Sequence, residues 1–318
     1  MPRRVERIKR FFPPAVLRGA RFFRRGVSYV LVREEMDRLH AHLSHDVHSA
    51  SATMVESVSY VGRTLRDLQL TLQPWRELQG TPVTHLDPET AAFLNYAESH
   101  RGFAAQRGLW FNPAVSLEYA EGDVRVSSVS ERIIEVPYAF RALGTLPVGS
   151  RILDLGATES TVALSLAALG YRVTAIDLRK YPLPHANLTT VAEALERWTA
   201  PPEPFDAALA ISSIEHFGLG SYGESAGEKD ADVQALRRVR KAVRENGLLV
   251  LTVPYGKAEV GELQRTYDRD GLRRLLAEDW KIEDCSVAEQ VTATEWTLGQ
   301  DGAPAGARAV ALITARAT

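Results

Sequence analysis

Between Met36 and Leu72 apolar side chains recur at Met36, Leu39, Leu43, Val47, Ala50, Met54, Val58, Val61, Leu65, Leu68 and Leu72. Alternating steps of three and four residues hold such positions on one face of a helix. Neither Gly nor Pro interrupts the run before Gly62. The pattern predicts one long amphipathic helix within 27–80, first near an eleven-residue repeat and then heptad-like. A stripe of that length needs a partner. A coiled coil between chains is the preferred reading, and a helix folded back on its own globular part is the alternative. Residues 81–130 read as a loop-rich connecting or cap region, with Pro82, Pro88 and Pro113 punctuating short helical pieces. From about residue 131 the period changes. "RILDL", "RVTAI", "NLTTV", "FDAALAI" and "GLLVLTV" are short apolar or β-branched runs, most of them separated by helical stretches such as "ESTVALSLAAL" and "DVQALRRVRKAV". That alternation predicts an α/β domain over 131–318, with a doubly wound, seven-stranded, mostly parallel sheet. "WKIEDCSVA", a polar loop and "ARAVALITARA" close it as two antiparallel strands, one of them beside the fifth strand.

Composition adds limits. The 318 residues are 45% hydrophobic and 25% charged, which suits a globular chain with a sizeable core. A single cysteine, Cys285, excludes an internal disulfide and suits a reducing, cytoplasmic setting. Residues 1–26 hold nine Lys and Arg against one acid, a balance of +8, so the rest of the chain carries −10. The split describes a basic arm and not a wholly basic nucleic-acid binder. In that arm Arg alternates with Phe11, Phe12, Phe22 and Phe23, a mixture suited to peripheral contact with an anionic membrane surface, such as the inner face of the cell membrane. A solvated tail is the alternative. Four of the eight histidines, His40, His42, His45 and His48, fall on the long helix. No acid or cysteine completes a tetrahedral set at matching spacing, so they read as a solvated polar face and no metal is expected.

The candidate chemistry begins at the first strand of the α/β domain. "ILDLGATES" ends an apolar run in Asp154 and Gly156, but Thr158 and Ser160 stand where a dinucleotide loop has its later glycines. Those side chains remove the room a pyrophosphate needs, and Asp154 would face it badly; an NAD-dependent oxidoreductase is therefore disfavoured. Asp177 ends the second strand in "VTAIDLR", the place from which an acid grips ribose hydroxyls. A ligand with a ribose and an ammonium group but no phosphate fits both acids.

Residues 131–317 resemble the class I S-adenosylmethionine-dependent methyltransferases. Within them the chain is similar to a bacterial and archaeal group often found among surface-glycan genes. The resemblance rests on "LDLGATES", "SSIEHFGLGSYG" and "TVPYG". It implies the cofactor S-adenosyl-L-methionine, with Asp154, Gly156, Ala157, Thr158, Glu159 and Ser160 framing the methionine end. Asp177 and Leu178 would take the ribose and adenine, Glu193 and Ala194 would lie near the adenine amino group, and Ser212 and Ser213 would lie under the reactive methyl.

His216 follows at once, and an imidazole can take the proton that an acceptor hydroxyl loses. Glu215 is a candidate to orient it; packing near the cofactor is the alternative for both. Tyr222, Tyr255, Lys257, Arg265 and Tyr267 are the candidates for holding the acceptor, which the resemblance implies is a sugar, a glycan or a lipid-linked glycan intermediate. "GLGSYGESAGEKD" reads as a lid or a plain connection. Arg237, Arg238, Arg240, Lys241 and Arg244 read as the wet face of a helix that buries Leu236, Val239 and Val243. The expected assembly is a homo-oligomer through the long helix. A non-catalytic coiled-coil scaffold carrying a methyltransferase-like binding module is the rival class.

Overall fold

A computed structural model describes residues 85–106, 108–109, 111–220, 230–299 and 308–318, together with positions 54, 58, 61–63 and 65. The chain divides into two compact units, residues 1–69 and 70–318. In the first, the described positions are helical, and Met54, Val58, Val61 and Leu65 of the stripe expose their side chains. The basic arm, the histidine cluster, the rest of the long helix and Tyr222 lie outside the described residues.

The second unit begins with α1 (Pro88–Ala97) and α2 (Phe103–Gln106), followed by β1 (Val115–Ala120) and β2 (Asp123–Val129). The two strands form an antiparallel hairpin, turning at Gly122 with φ of 64°. The short helical pieces are as expected, while the hairpin replaces the loop expected after them. Neither strand carries a continuous apolar run, and their apolar positions Leu117 and Val126 remain exposed. Next come α3 (Arg132–Leu143), β3 (Arg151–Leu155), α4 (Val162–Ala168), β4 (Arg172–Asp177), β5 (Leu188–Ala192) and β6 (Phe205–Ile211). Beyond them lie α5 (Ala231–Ala242), β7 (Val243–Pro254), the short pair β8 (Glu259–Val260) and β9 (Arg265–Thr266), and α6 (Arg269–Leu276). The chain closes with β10 (Trp280–Thr292), β11 (Glu295–Gly299) and β12 (Ala309–Ala317).

The large sheet runs β11-β10-β12-β7-β6-β3-β4-β5. Strands β3 to β7 are parallel, and β12 pairs antiparallel with β7 as the closing sequence predicts. The sheet is Rossmann-like and mostly parallel, but it has eight strands, not seven. The extra one, β11, pairs with the end of β10 across a tight turn. Its "EWTLG" lacks the continuous apolar signature of the buried strands, because it is an edge.

Both faces of the sheet are covered, which is why its inner strands read as unbroken apolar runs. Leu153, Leu155, Leu249 and Leu251 pack on one side against Val233, Leu236 and Val239 of α5 and Leu272 and Leu275 of α6. Ile152, Val173, Leu209 and Val250 pack on the other against Tyr138 and Leu143 of α3 and Val162 and Leu166 of α4. The wet face of α5 exposes Arg237, Arg238 and Lys241 as the pattern predicts, but the helix ends at Ala242, so Val243 and Arg244 belong to β7. Strand order reverses on either side of β3, so a crevice opens beyond the carboxyl ends of β3 and β6. Among the described residues no helix is long and apolar enough to cross a membrane.

Candidate functional site

The turn after β3 is built on a close approach. Gly156 has φ of 69°, and a Cβ there would meet Ser213 Cβ at 2.5 Å, so strain and overlap both select glycine. The later glycines of a dinucleotide loop are replaced by side chains with work of their own. Thr158 N–H donates to Asp177 Oδ2 at 3.0 Å, and its hydroxyl donates to the Arg179 carbonyl at 3.3 Å. Ser160 Oγ accepts the Val162 N–H at 3.1 Å in the first turn of α4, while its carbonyl accepts from Tyr181 at 2.7 Å. Arg179 also pairs with Glu159 at 2.6 Å. The loop is held open by polar ties.

This turn forms one wall of a cavity that Asp154, Gly156, Ala157, Glu159, Ser160, Asp177, Leu178, Glu193, Ala194 and Ser213 all line. Two expected members stand elsewhere. Thr158 turns its hydroxyl to Arg179, as above. Ser212 takes φ of 40°, which swings its hydroxyl onto Glu135 Oε1 at 2.6 Å and places it on a second cavity. Asp154 is buried, and desolvation with the neighbouring Asp177 charge pushes its carboxyl up to about 8. Asp177 already accepts the Arg179 N–H at 3.0 Å on Oδ1. Each of its oxygens keeps further lone-pair capacity for a ligand hydroxyl.

A second cavity adjoins the first, and Arg132, Glu159 and His216 line both. Its wall is polar: Asn112, Glu131, Glu215, Gln264, Thr266 and Arg308, with Tyr255 and Trp296 as aromatic surfaces. Its charges are largely matched, Arg308 with Glu131 at 3.1 Å and Arg132 with Glu135 at 2.9 Å. Of the residues expected to hold an acceptor, Tyr255 lines this cavity. Lys257 is exposed on neither wall. Arg265 and Tyr267 are corrected outright: both are buried, Arg265 on backbone carbonyls and Tyr267 on Asp232 at 2.9 Å. Strand alternation explains it, since Gln264 and Thr266 take the cavity side.

His216 stands where the cavities meet. Its Nδ1 lies 2.5 Å from the Leu263 carbonyl. A carbonyl only accepts, so Nδ1 carries the proton. Desolvation lowers the ring's basicity below its ordinary value, and with the proton on Nδ1 the Nε2 lone pair is the basic position. Nε2 lies 3.8 Å from Glu215 Oε1. Burial pushes the Glu215 carboxyl up to about 8, and its Oε2 has no hydrogen-bond partner among the described residues.

Arg132 and Glu135, on the first turn of α3, are site residues that the sequence reading passed over. Arg132 donates to Glu135 Oε2 and, at 3.2 Å, to the Ile211 carbonyl. Glu135 is completely buried; desolvation raises its carboxyl, and Arg132 with the Ser212 hydroxyl offsets part of this. The available signal was an acid on the same helical face as the core residues Tyr138 and Ala139.

A doubly wound sheet with a tight glycine turn after its central strand and an acid ending the next defines a class, the Rossmann-like domains that take nucleoside ligands at the switch point. Comparison with known proteins gives the following. Residues 183–278 match the family described as Caenorhabditis protein of unknown function, DUF268. No curated protein matches the chain. Among solved structures, it is similar to Burkholderia thailandensis 1,6-didemethyltoxoflavin-N1-methyltransferase with bound 1,6-didemethyltoxoflavin and S-adenosylhomocysteine, at 21% identity over 57% of this chain and 77% of that one, with a TM-score of 0.43. It is also similar to the N-methyltransferase NodS of Bradyrhizobium japonicum WM9 in complex with S-adenosylhomocysteine, at 16% identity over 59% and 87%, TM-score 0.42. A third is a TehB-like SAM-dependent methyltransferase of Corynebacterium glutamicum, at 15% identity over 58% and 87%, TM-score 0.39.

Proposed function

We propose that the chain is an S-adenosylmethionine-dependent methyltransferase acting on a hydroxyl oxygen of a sugar, a glycan or a lipid-linked glycan intermediate. The observation that carries the reading is the meeting of two cavities at one histidine whose Nδ1 is held by a backbone carbonyl. The residues of the first fit the cofactor. Gly156 leaves a cradle that a Cβ would fill, and Ser213 Oγ beside it is buried without a partner among the described residues. Asp154 suits an ammonium group, Asp177 the ribose hydroxyls, and Leu178, Glu193 and Ala194 the adenine side. When bound, S-adenosylmethionine supplies an electrophilic methyl group on its sulfonium. In the second cavity His216 Nε2 takes the proton of an acceptor hydroxyl as that oxygen gains the methyl group. Arg132, which lines both cavities, is fixed by Glu135 and the Ile211 carbonyl, and in-line transfer asks mostly for such positioning.

The sugar class follows from the segments at 212–223 and 252–256 and is supported by a polar, charge-matched wall with aromatic faces. The same reading has the chain self-associate through the long helix, supported by the exposed Met54, Val58, Val61 and Leu65. It also has residues 1–26 hold the enzyme against an anionic cytoplasmic membrane face. The test is methyl transfer from tritiated S-adenosylmethionine into glycan and glycolipid extracts of a strain lacking the gene. Label in a glycan fraction, lost in His216→Ala, supports the proposal. Label in another fraction changes the acceptor, and none, with cofactor bound, leaves a binding module.

A further inference from the structure

Three buried residues outside both cavities converge on the turn that carries His216. Arg265 is 4% exposed, and its guanidinium donates to the carbonyls on either side of the histidine, Glu215 at 3.2 Å and Phe217 at 2.6 Å. Arg265 Nε lies 3.8 Å from Asp232, which is fully buried at the start of α5. Tyr267 donates its hydroxyl to the same carboxylate at 2.9 Å, and Arg274 approaches it at 3.5 Å from outside. A buried guanidinium that spends its donors on two backbone carbonyls is costly unless its charge is matched, and Asp232 matches it.

The segment holding Arg265 touches His216 a second time. Leu263, two residues earlier, supplies the carbonyl that takes the imidazole N–H. Between and beyond them Gln264 and Thr266 line the polar cavity. One short stretch, 263–267, therefore sets the backbone of the histidine turn, the proton on its ring and part of the acceptor wall.

We infer that Arg265, held by Asp232 and Tyr267, is a positioning residue that fixes the place and tautomer of His216, and that strand β9 thereby ties the base to the acceptor wall. The inference rests on His216 being the base of the proposed methyl transfer. Without the clamp, the turn is free to drift from Leu263, and the ring loses the bond that keeps its proton on Nδ1. Loss of one hydrogen bond shifts the balance between tautomers by up to about tenfold.

The test uses full-length protein with labelled histidine, loaded with S-adenosylhomocysteine, and long-range nitrogen–proton spectra that report which ring nitrogen is protonated. His216→Gln assigns the signal. Native protein is expected to show His216 protonated on Nδ1. Arg265→Met should move proton density to Nε2, and Arg265→Lys should restore most of the native signal. Retained saturable binding of S-adenosylhomocysteine shows that each variant keeps its fold. The pair Arg265→Met with Asp232→Asn removes both buried charges and serves if the single variant fails to fold. An unchanged His216 tautomer in a folded variant overturns the inference, as does native protein with the proton on Nε2. Failure of native protein to bind S-adenosylhomocysteine is a separate result, against the methyltransferase reading; the ring signal is then read on unloaded protein.

Discussion

Gly156 and Asp177 both line the first cavity, and the proposed function gives each a ligand-side role. At Gly156 a side chain meets two penalties, a left-handed backbone costing about 1–2 kcal/mol and overlap with Ser213 Cβ at 2.5 Å. Gly156→Ala is therefore expected to abolish S-adenosylhomocysteine binding at concentrations that saturate native protein, and thermal unfolding checks that the variant folds. Asp154 gives a pH prediction. Its folded carboxyl sits at about 8, well above an unfolded Asp near ~3.9, so the native state holds a proton that the unfolded chain has released. The contribution to stability is full below the unfolded value and is lost as pH rises through about 8. A ligand ammonium favours the carboxylate, so cofactor affinity should rise from pH 6 to 9 while apo stability falls. Asp154→Asn should flatten both trends in calorimetric titration and melting; an unchanged affinity profile in that variant refutes the assignment. These two residues were legible because strand-end acids and turn glycines have fixed places in such sheets. Glu135 was not, since what matters is a pairing with Ser212 across 77 positions of chain.

Whole elements divide the same way. The buried strands β3, β4, β6 and β7 were legible because two covered faces demand largely apolar runs, and the edge strand β5 because of its β-branched residues. The β1–β2 hairpin and β11 were not, because edges and exposed ribbons carry polar and apolar residues alike. Strand β9 shows a further limit: two residues long, it cannot display a period, so the inward turn of Arg265 and Tyr267 was invisible in "RTYD". The long helix gives this scale its prediction. Met54, Val58, Val61 and Leu65 present an apolar stripe that a second copy would cover. In the full chain, Val58→Glu with Val61→Glu should lower the mass seen by light scattering without changing cofactor affinity. A native protein that is already monomeric contradicts the coiled-coil reading.

Across the molecule, charge is segregated, +8 in residues 1–26 against −10 elsewhere. Each cationic side chain near an anionic surface contributes about 1 kcal/mol, so nine of them, heavily discounted for screening, suffice for reversible attachment. Full-length protein should sediment with anionic vesicles at low salt, release partly as salt rises, and ignore neutral vesicles. Duplex DNA run in parallel tests the competing phosphate partner, and equal binding to neutral vesicles refutes the electrostatic account.

Cofactor choice is the central claim, and calorimetric titration of the full-length protein tests it most directly. On the proposed reading, the loop with side chains in place of the later glycines, the buried Asp154 and the cavity-lining Asp177 all favour a phosphate-free nucleoside carrying an ammonium group. The expected result is one S-adenosylhomocysteine per chain and no heat from NAD. Asp177→Ala should weaken that binding by about 2–4 kcal/mol, as two hydrogen bonds to a charged group are lost. Saturable binding of NAD, or of neither ligand by folded protein, contradicts the account.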